Sequence, residues 1–162
     1  TRGPHVMTGY WSRSKRNNNN NTDLGKQDWI FTNDLGYWDD QGRLYFCGRV
    51  NDVIRTGGET VLALEVERVL VQHPDVAECA VFSLSDDKFG EAVCCALVSR
   101  GVELPLIDVR IWCRECGLAG YKQPRRVFHV GELPKNSSGK IVKFLLKERF
   151  GDQAATTLQS RL

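Results

Sequence analysis

Three runs of this chain set charged side chains beside glycine. The last is Leu133-Pro-Lys-Asn-Ser-Ser-Gly-Lys140. Its Ser137, Ser138 and Gly139 are small, and Gly139 places no side chain between the backbone and an approaching molecule. Lys140 stands where the apolar segment Ile141 to Phe150 begins to repeat at helical spacing. A cation at a helix N-terminus meets the positive end of the macrodipole, so helix stability gives no reason for it. A lysine is a mobile point charge suited to meeting an anion. The middle run, Gly48-Arg-Val-Asn-Asp-Val-Ile-Arg-Thr-Gly-Gly-Glu59, carries Arg49 and Arg55, and the first, Phe31-Thr-Asn-Asp-Leu-Gly36, carries Asp34. Cys113-Arg-Glu-Cys116 is the remaining chemical spacing. It has no second pair to complete a zinc site, and it falls late in a helical pattern, whereas redox pairs sit where helices begin. Cys79, Cys94 and Cys95 lie in apolar runs and read as buried thiols.

The elements that must hold these residues alternate in type. Gly36-Tyr-Trp38 and Leu44-Tyr-Phe-Cys47 flank the turn Asp39-Asp-Gln-Gly42 and predict a hairpin. Val50 to Arg55 reads as a short strand ending at Gly57-Gly58. Leu62, Val66, Val69 and Leu70 recur at helical spacing until Pro74 stops them. Val76 to Leu84 and Ala92 to Val98 are strands joined by a polar loop with Gly90. Leu106 to Cys116 is a second helix, Val127 to Val130 a strand, and Ile141 to Phe150 a third helix ending at Gly151. The expected class is α+β, a small mixed sheet covered by helices. Residues 15–22, with asparagine at every position from 17 to 21, read as a surface loop.

The composition is that of an ordinary globular chain. It has 162 residues, 41% of them hydrophobic and 26% charged. Twenty-two Lys plus Arg against 20 Asp plus Glu leave a net charge of +2. That balance gives no electrostatic footprint for nucleic acid. No apolar run reaches the ~20 residues of a membrane-spanning helix. The chain starts at Thr1 rather than Met, so it is expected to be processed or a fragment, with any N-terminal targeting signal unreadable.

The three runs, with Leu64-Glu-Val-Glu67 after the second, resemble the adenylate-forming superfamily of acyl- and aryl-CoA synthetases, luciferases and peptide-synthetase adenylation domains. Residues 1–50 then resemble the end of the large AMP-binding domain, a β-rich tail in which Arg2-Gly-Pro4 and Gly9-Tyr-Trp11 take part. Residues 51–150 resemble the C-terminal lid, and 151–162 form a flexible tail. The resemblance implies ATP, CoA and Mg2+, the last bound mainly by an upstream domain, and a small carboxylic acid as substrate. Adenylation joins two anions, and a lysine that bridges carboxylate and phosphate offsets their repulsion. The resemblance assigns that role to Lys140. It also places Asp34 on the ribose hydroxyls, which its two oxygens suit, with Arg49 and Arg55 near the nucleotide. Asn51 falls at the pivot of the lid. Gly57, Gly58 and Glu59 face the pantetheine tunnel, and Gln123, Pro124 and Arg125 match a CoA-contacting segment. No metal ligand is assigned in this chain. Asn33 departs from the family's usual glycine, and Ala63 from a common proline.

No phosphate loop precedes these motifs, so the chain alone is expected to be inactive. Gly57-Gly-Glu59 and Cys113 to Lys122 look most like the plant 2-succinylbenzoate–CoA ligases. A 4-coumarate-like or medium-chain ligase, or a non-catalytic lid acting as a binding module, are the alternatives. Ser160-Arg161-Leu162 resembles a peroxisomal import signal read by a receptor, with plastid import a second address.

Overall fold

The computed structural model describes residues 29 and 31–159. The asparagine loop, the Gly9-Tyr-Trp11 segment and Ser160-Arg161-Leu162 lie outside the described residues. Contacts divide the chain into two units, residues 1–34 and 35–162.

Strands β1 (Asp34–Trp38) and β2 (Leu44–Arg49) form the expected two-stranded hairpin. Its turn is held by the Asp39 side chain, whose Oδ1 accepts the N–H groups of Gln41 and Arg43 at 3.0 and 2.8 Å. Those bonds, with the Arg43 N–H first, hold the Asp39 carboxyl below the usual carboxylate range. Tyr37 and Tyr45 stack across the strands with ring centroids 5.1 Å apart, a cross-strand pair of the kind that stabilises a sheet.

A single 3-10 turn, Val50–Asp52, leads into β3 (Val53–Thr56), which pairs with β4 (Glu59–Leu62). The expected strand from Val50 to Arg55 is therefore shorter at its start, and its partner β4 was not foreseen. Gly57 and Gly58 form the two-residue connection between Thr56 and Glu59. Their φ angles are 60° and 85°. A type I′ hairpin requires two such positive values.

Helix α1 (Ala63–Leu70) buries Ala63, Val66 and Leu70. The two long strands β5 (Val76–Asp86) and β6 (Gly90–Ser99) pair antiparallel over nearly their whole length. The other edge of β6 is shared. Thr56 of β3 pairs with Gly90 at its start, and β7 (Arg126–His129) runs parallel to it from Cys94 to Leu97. The result is a five-stranded mixed sheet in which β4, β3, β6 and β5 follow one another and β7 extends from β6.

Because successive strand residues point to opposite faces, β5 and β6 feed two cores. Val81, Val93, Cys95 and Leu97 face α1 and α2 (Leu106–Glu115), with Val66, Leu70, Val109 and Cys113. Phe82, Leu84, Cys94 and Ala96 face Leu133 and the helix α3 (Lys143–Gln159), through Leu146 and Phe150. Phe128 and Phe150 stack there with centroids 4.0 Å apart. A strand buried on both faces reads as a continuous apolar run, as these two do. The α+β class expected from the sequence is the class observed.

Helix α3 departs from expectation at both ends. It begins at Lys143, two residues late, and runs through Gly151 to Gln159. One glycine inside a helix costs only about 1 kcal/mol relative to alanine, too little to force a stop.

Candidate functional site

Lys140 lies in the loop before α3 rather than in its first turn. Lys135 and Ile141 form an antiparallel bridge across the base of that loop. Between them the Asn136 N–H donates to the Lys140 carbonyl at 2.9 Å. The Asn136 Oδ1 accepts the N–H groups of Ser138 at 3.0 Å and Lys140 at 2.9 Å. Gly139 closes the turn at φ 76°. One asparagine thus satisfies the loop's backbone and fixes the Cα of Lys140, while the lysine side chain stays exposed. Neither an ion pair nor a hydrogen bond engages its ammonium among the described residues.

Immediately after this loop, Lys143 Nζ reaches Glu67 Oε1 of α1 at 2.8 Å and Asp52 Oδ2 at 3.4 Å. Asn51 is exposed in the centre of the 3-10 turn, between Arg49 at the end of β2 and Asp52. Gly48, Arg49, Asp52, Leu62, Glu67, Ile141 and Lys143 line one cleft of about 260 Å³. The structure therefore brings the 3-10 turn, α1 and the start of α3 together at one place.

The residues matched to CoA contacts cluster elsewhere. The Gly57 N–H donates to the Phe89 carbonyl at 2.8 Å, which ties the β3–β4 turn to the tip of the β5–β6 hairpin. The Arg125 guanidinium lies over the Phe89 ring, 3.6 Å from its centroid, within the range of a cation–π contact. The Arg125 N–H donates to the Val93 carbonyl at 2.7 Å, and its buried Nε has no hydrogen-bond partner among the described residues. Gln123 and Pro124 are buried, and the Gln123 amide donates to the Leu118 carbonyl at 3.2 Å. Of that segment, Arg125 is the residue gathered with Gly57. Arg55 and Glu59 are exposed on β3 and β4, and the Arg55 N–H donates to Glu91 Oε2 at 2.6 Å.

Asp34 closes the first unit. Its N–H donates to Thr32 Oγ1 at 3.3 Å, and it follows Asn33 at φ 59°. Asn33 thus adopts the left-handed conformation that suits glycine, and asparagine is among the few other residues that tolerate it.

Phe89 and the Lys143–Glu67–Asp52 cluster were not singled out in the sequence. Phe89 had a signal, an aromatic residue in a polar loop beside Gly90. The ion cluster had none, because its three members come from separate elements. Burial disfavours a thiolate. It pushes the Cys79 thiol up to about 12 and those of Cys94 and Cys113 to about 11, and it also raises Cys95 well above the usual thiol value. All are free, and Cys116 is exposed. The Cys113–Cys116 spacing is neither a disulfide nor a nucleophile pair, because Cys113 faces the core. Among the described residues no three His, Cys, Asp or Glu side chains converge to hold a metal ion.

The described sheet and helices share the fold of the C-terminal region of adenylate-forming enzymes. Residues 65–140 match the AMP-binding enzyme C-terminal domain, and this stretch of the chain belongs to that family. The matched stretch ends at Lys140. Relatives include the oxalate–CoA ligase of Arabidopsis thaliana, 38% identical over 92% of this chain and 28% of its own length. The 2-succinylbenzoate–CoA ligase of Geobacillus kaustophilus is 38% identical over 90% of this chain and 29% of its own. Among solved structures, o-succinylbenzoate CoA synthetase from Bacillus subtilis, in complex with its acyl-adenylate intermediate, superposes with a TM-score of 0.76. It is 36% identical, and the match covers 90% of this chain and 29% of its own. A Mycobacterium tuberculosis fatty acyl CoA synthetase gives a TM-score of 0.66 at 37% identity, covering 77% of this chain and 25% of its own. The chain spans less than a third of the length of these relatives.

Proposed function

We propose that this chain is the C-terminal portion, divided near residue 50, of an ATP-dependent carboxylic acid–CoA ligase. In the first half-reaction a carboxylate oxygen attacks the α-phosphorus of ATP and pyrophosphate leaves. In the second, the CoA thiolate attacks the acyl carbon and AMP leaves. Lys140 lies against the carboxylate and the α-phosphate, where its ammonium offsets the charge that gathers as the two anions meet. The observation that carries this reading is the exposed lysine at the end of a loop braced by Asn136. A charge held on a fixed backbone stabilises a transition state without reorganising at the moment of reaction.

Asp34, Arg49 and Arg55 are the nucleotide-side residues in this proposal, and Asn51 is the pivot. Gly57, Gly58, Glu59 and Arg125 serve the CoA step. Mg2+ would reach the site with ATP and be held mainly by an upstream domain. The acid is 2-succinylbenzoate or a similar aryl acid, supported by the likeness to the Geobacillus and Bacillus enzymes. The equal identity of an oxalate ligase keeps smaller acids in the test panel. Ser160-Arg161-Leu162 is proposed as a peroxisomal address.

The test uses the complete reading frame that contains these residues. It should exchange pyrophosphate into ATP only when an acid is supplied, with 2-succinylbenzoate the best of a panel including oxalate, 4-coumarate and octanoate. Lys140→Ala should slow that exchange by at least ~10²-fold, about 2.7 kcal/mol of transition-state stabilisation. Thioester formation from a supplied acyl-adenylate should lose far less. Equal losses in the two half-reactions would refute the role of Lys140, and no exchange with any acid would favour a binding module.

A further inference from the structure

Lys143 sits three residues beyond Lys140, at the first position of α3, and is largely buried. Its two carboxylate partners are held differently. Glu67 Oε1 also accepts the N–H of Val81 from the middle of β5 at 2.8 Å, so that carboxylate is fixed by both α1 and the sheet. Asp52 is more exposed, its contact is longer at 3.4 Å, and it directly follows Asn51. Lys143 therefore has one firm anchor and one loose arm, and the loose arm ends beside the pivot.

We infer that Lys143 is a positioning residue whose contact with Asp52 sets the stance of α3, and with it Lys140, relative to the pivot segment. The inference rests on the ligase reading above. The anchor to Glu67 holds the ammonium in place whatever the backbone does at Asn51. The arm to Asp52 lies on the lid side of Asn51, so it ties the first turn of α3 to the segment on which the lid turns. Losing the arm frees the first turn of α3 and spreads the positions of Lys140. The half-reaction that needs Lys140 then suffers, and the other does not.

The variant that isolates the arm is Asp52→Asn, which keeps shape and leaves the Lys143–Glu67 pair intact. In the complete enzyme it should slow adenylation roughly two- to fivefold, the range a partly exposed ion pair supplies. Thioester formation from supplied acyl-adenylate and the thermal midpoint should stay at the parent values. Asp52→Glu should restore adenylation, and salt at about 1 M should erase the difference between Asp52→Asn and the parent. Equal slowing of both half-reactions, no slowing of either, or an effect indifferent to salt would overturn the inference. Lys140→Ala, measured alongside, separates the two ideas. If it leaves adenylation intact, the ligase reading fails. If it abolishes adenylation while Asp52→Asn behaves as the parent, only the role of Lys143 fails.

Discussion

The β3–β4 turn allows a comparison between neighbouring glycines. Both Gly57 and Gly58 have positive φ, 60° and 85°. Alanine at either position therefore carries the cost of a left-handed residue, about 1–2 kcal/mol. Their surroundings differ. A Cβ at Gly58 meets nothing within 4 Å, whereas one at Gly57 comes 3.2 Å from Phe89 Cδ1. That is inside the ~3.5–4.0 Å optimum for carbon atoms. The ring cannot easily withdraw, since its own carbonyl holds the Gly57 N–H and the Arg125 guanidinium lies on its face. Gly58→Ala should therefore cost about 1 kcal/mol from backbone strain alone. Gly57→Ala should add about 1 kcal/mol or more of overpacking. Urea unfolding of the purified 162-residue chain, followed by circular dichroism, reads both. At a slope of about 2 kcal/mol/M the two midpoints should differ by about 0.5 M. The double variant Gly57→Ala/Phe89→Leu should recover the excess but not the strain. Equal losses at the two glycines, or an excess that survives Phe89→Leu, would refute the argument that Phe89 is pinned.

Asn51→Pro removes an N–H and restricts φ in the 3-10 turn. Adenylation by the complete enzyme should persist while CoA transfer falls about tenfold or more, about 1.4 kcal/mol, and normal overall turnover would place the pivot elsewhere. Alkylation needs the thiolate, and the buried thiols have raised pKa values, so at pH 8 iodoacetamide should modify Cys116 in the native chain. Cys79, Cys94, Cys95 and Cys113 should react only after denaturation, as read by peptide mass spectrometry. The 162-residue chain should fold yet show no acid-dependent exchange of pyrophosphate into ATP, and exchange above a heat-treated blank would contradict the need for an upstream domain. A fluorescent protein carrying residues 153–162 should become punctate in plant cells and diffuse once Leu162 is deleted, and puncta that survive the deletion would remove the proposed address.

The parts of the fold that were readable in the sequence are those where burial repeats. β5 and β6 show as apolar runs because both faces are covered, and α1 shows because Val66 and Leu70 fall on one side. β4 was hidden because a four-residue strand with one fully buried side chain, Val61, offers no period. Gly57-Gly58 was in fact the available signal, since two glycines between short β-rich runs predict a I′ hairpin. α3 outruns its expected end because the helix penalty of a single glycine at 151 is too small to stop it. Gly151 opens onto empty space, so no packing penalty marks it either. At the site, the loop residues were readable because glycine and small polar residues cluster there. Phe89 and the Glu67–Lys143–Asp52 cluster were not, because only the tertiary fold brings them to their partners.

Those same tertiary bonds bear on the two half-reactions proposed above. The Gly57 turn is bonded to the Phe89 carbonyl at the tip of β5–β6. The Lys140 loop is bonded to the same sheet from the other direction, through Lys135 to Glu78 at 2.7 Å on β5. α3 adds Lys147 Nζ to Ser83 Oγ at 3.0 Å, also on β5. Ser83 in turn donates to Glu91 at 2.8 Å, and Glu91 accepts the Arg55 N–H next to the Gly57 turn. A continuous chain of hydrogen bonds thus runs from α3 through β5 and β6 to β3. Motion of one loop without the other would break bonds inside a packed sheet, whereas turning at the exposed 3-10 segment around Asn51 breaks few. A stiff sheet and an exposed turn are what the proposed rotation about Asn51 requires. The same reasoning locates the cost of any change at Ser83: its removal would leave Lys147 and Glu91 each short of a partner and loosen one loop from the other without touching either.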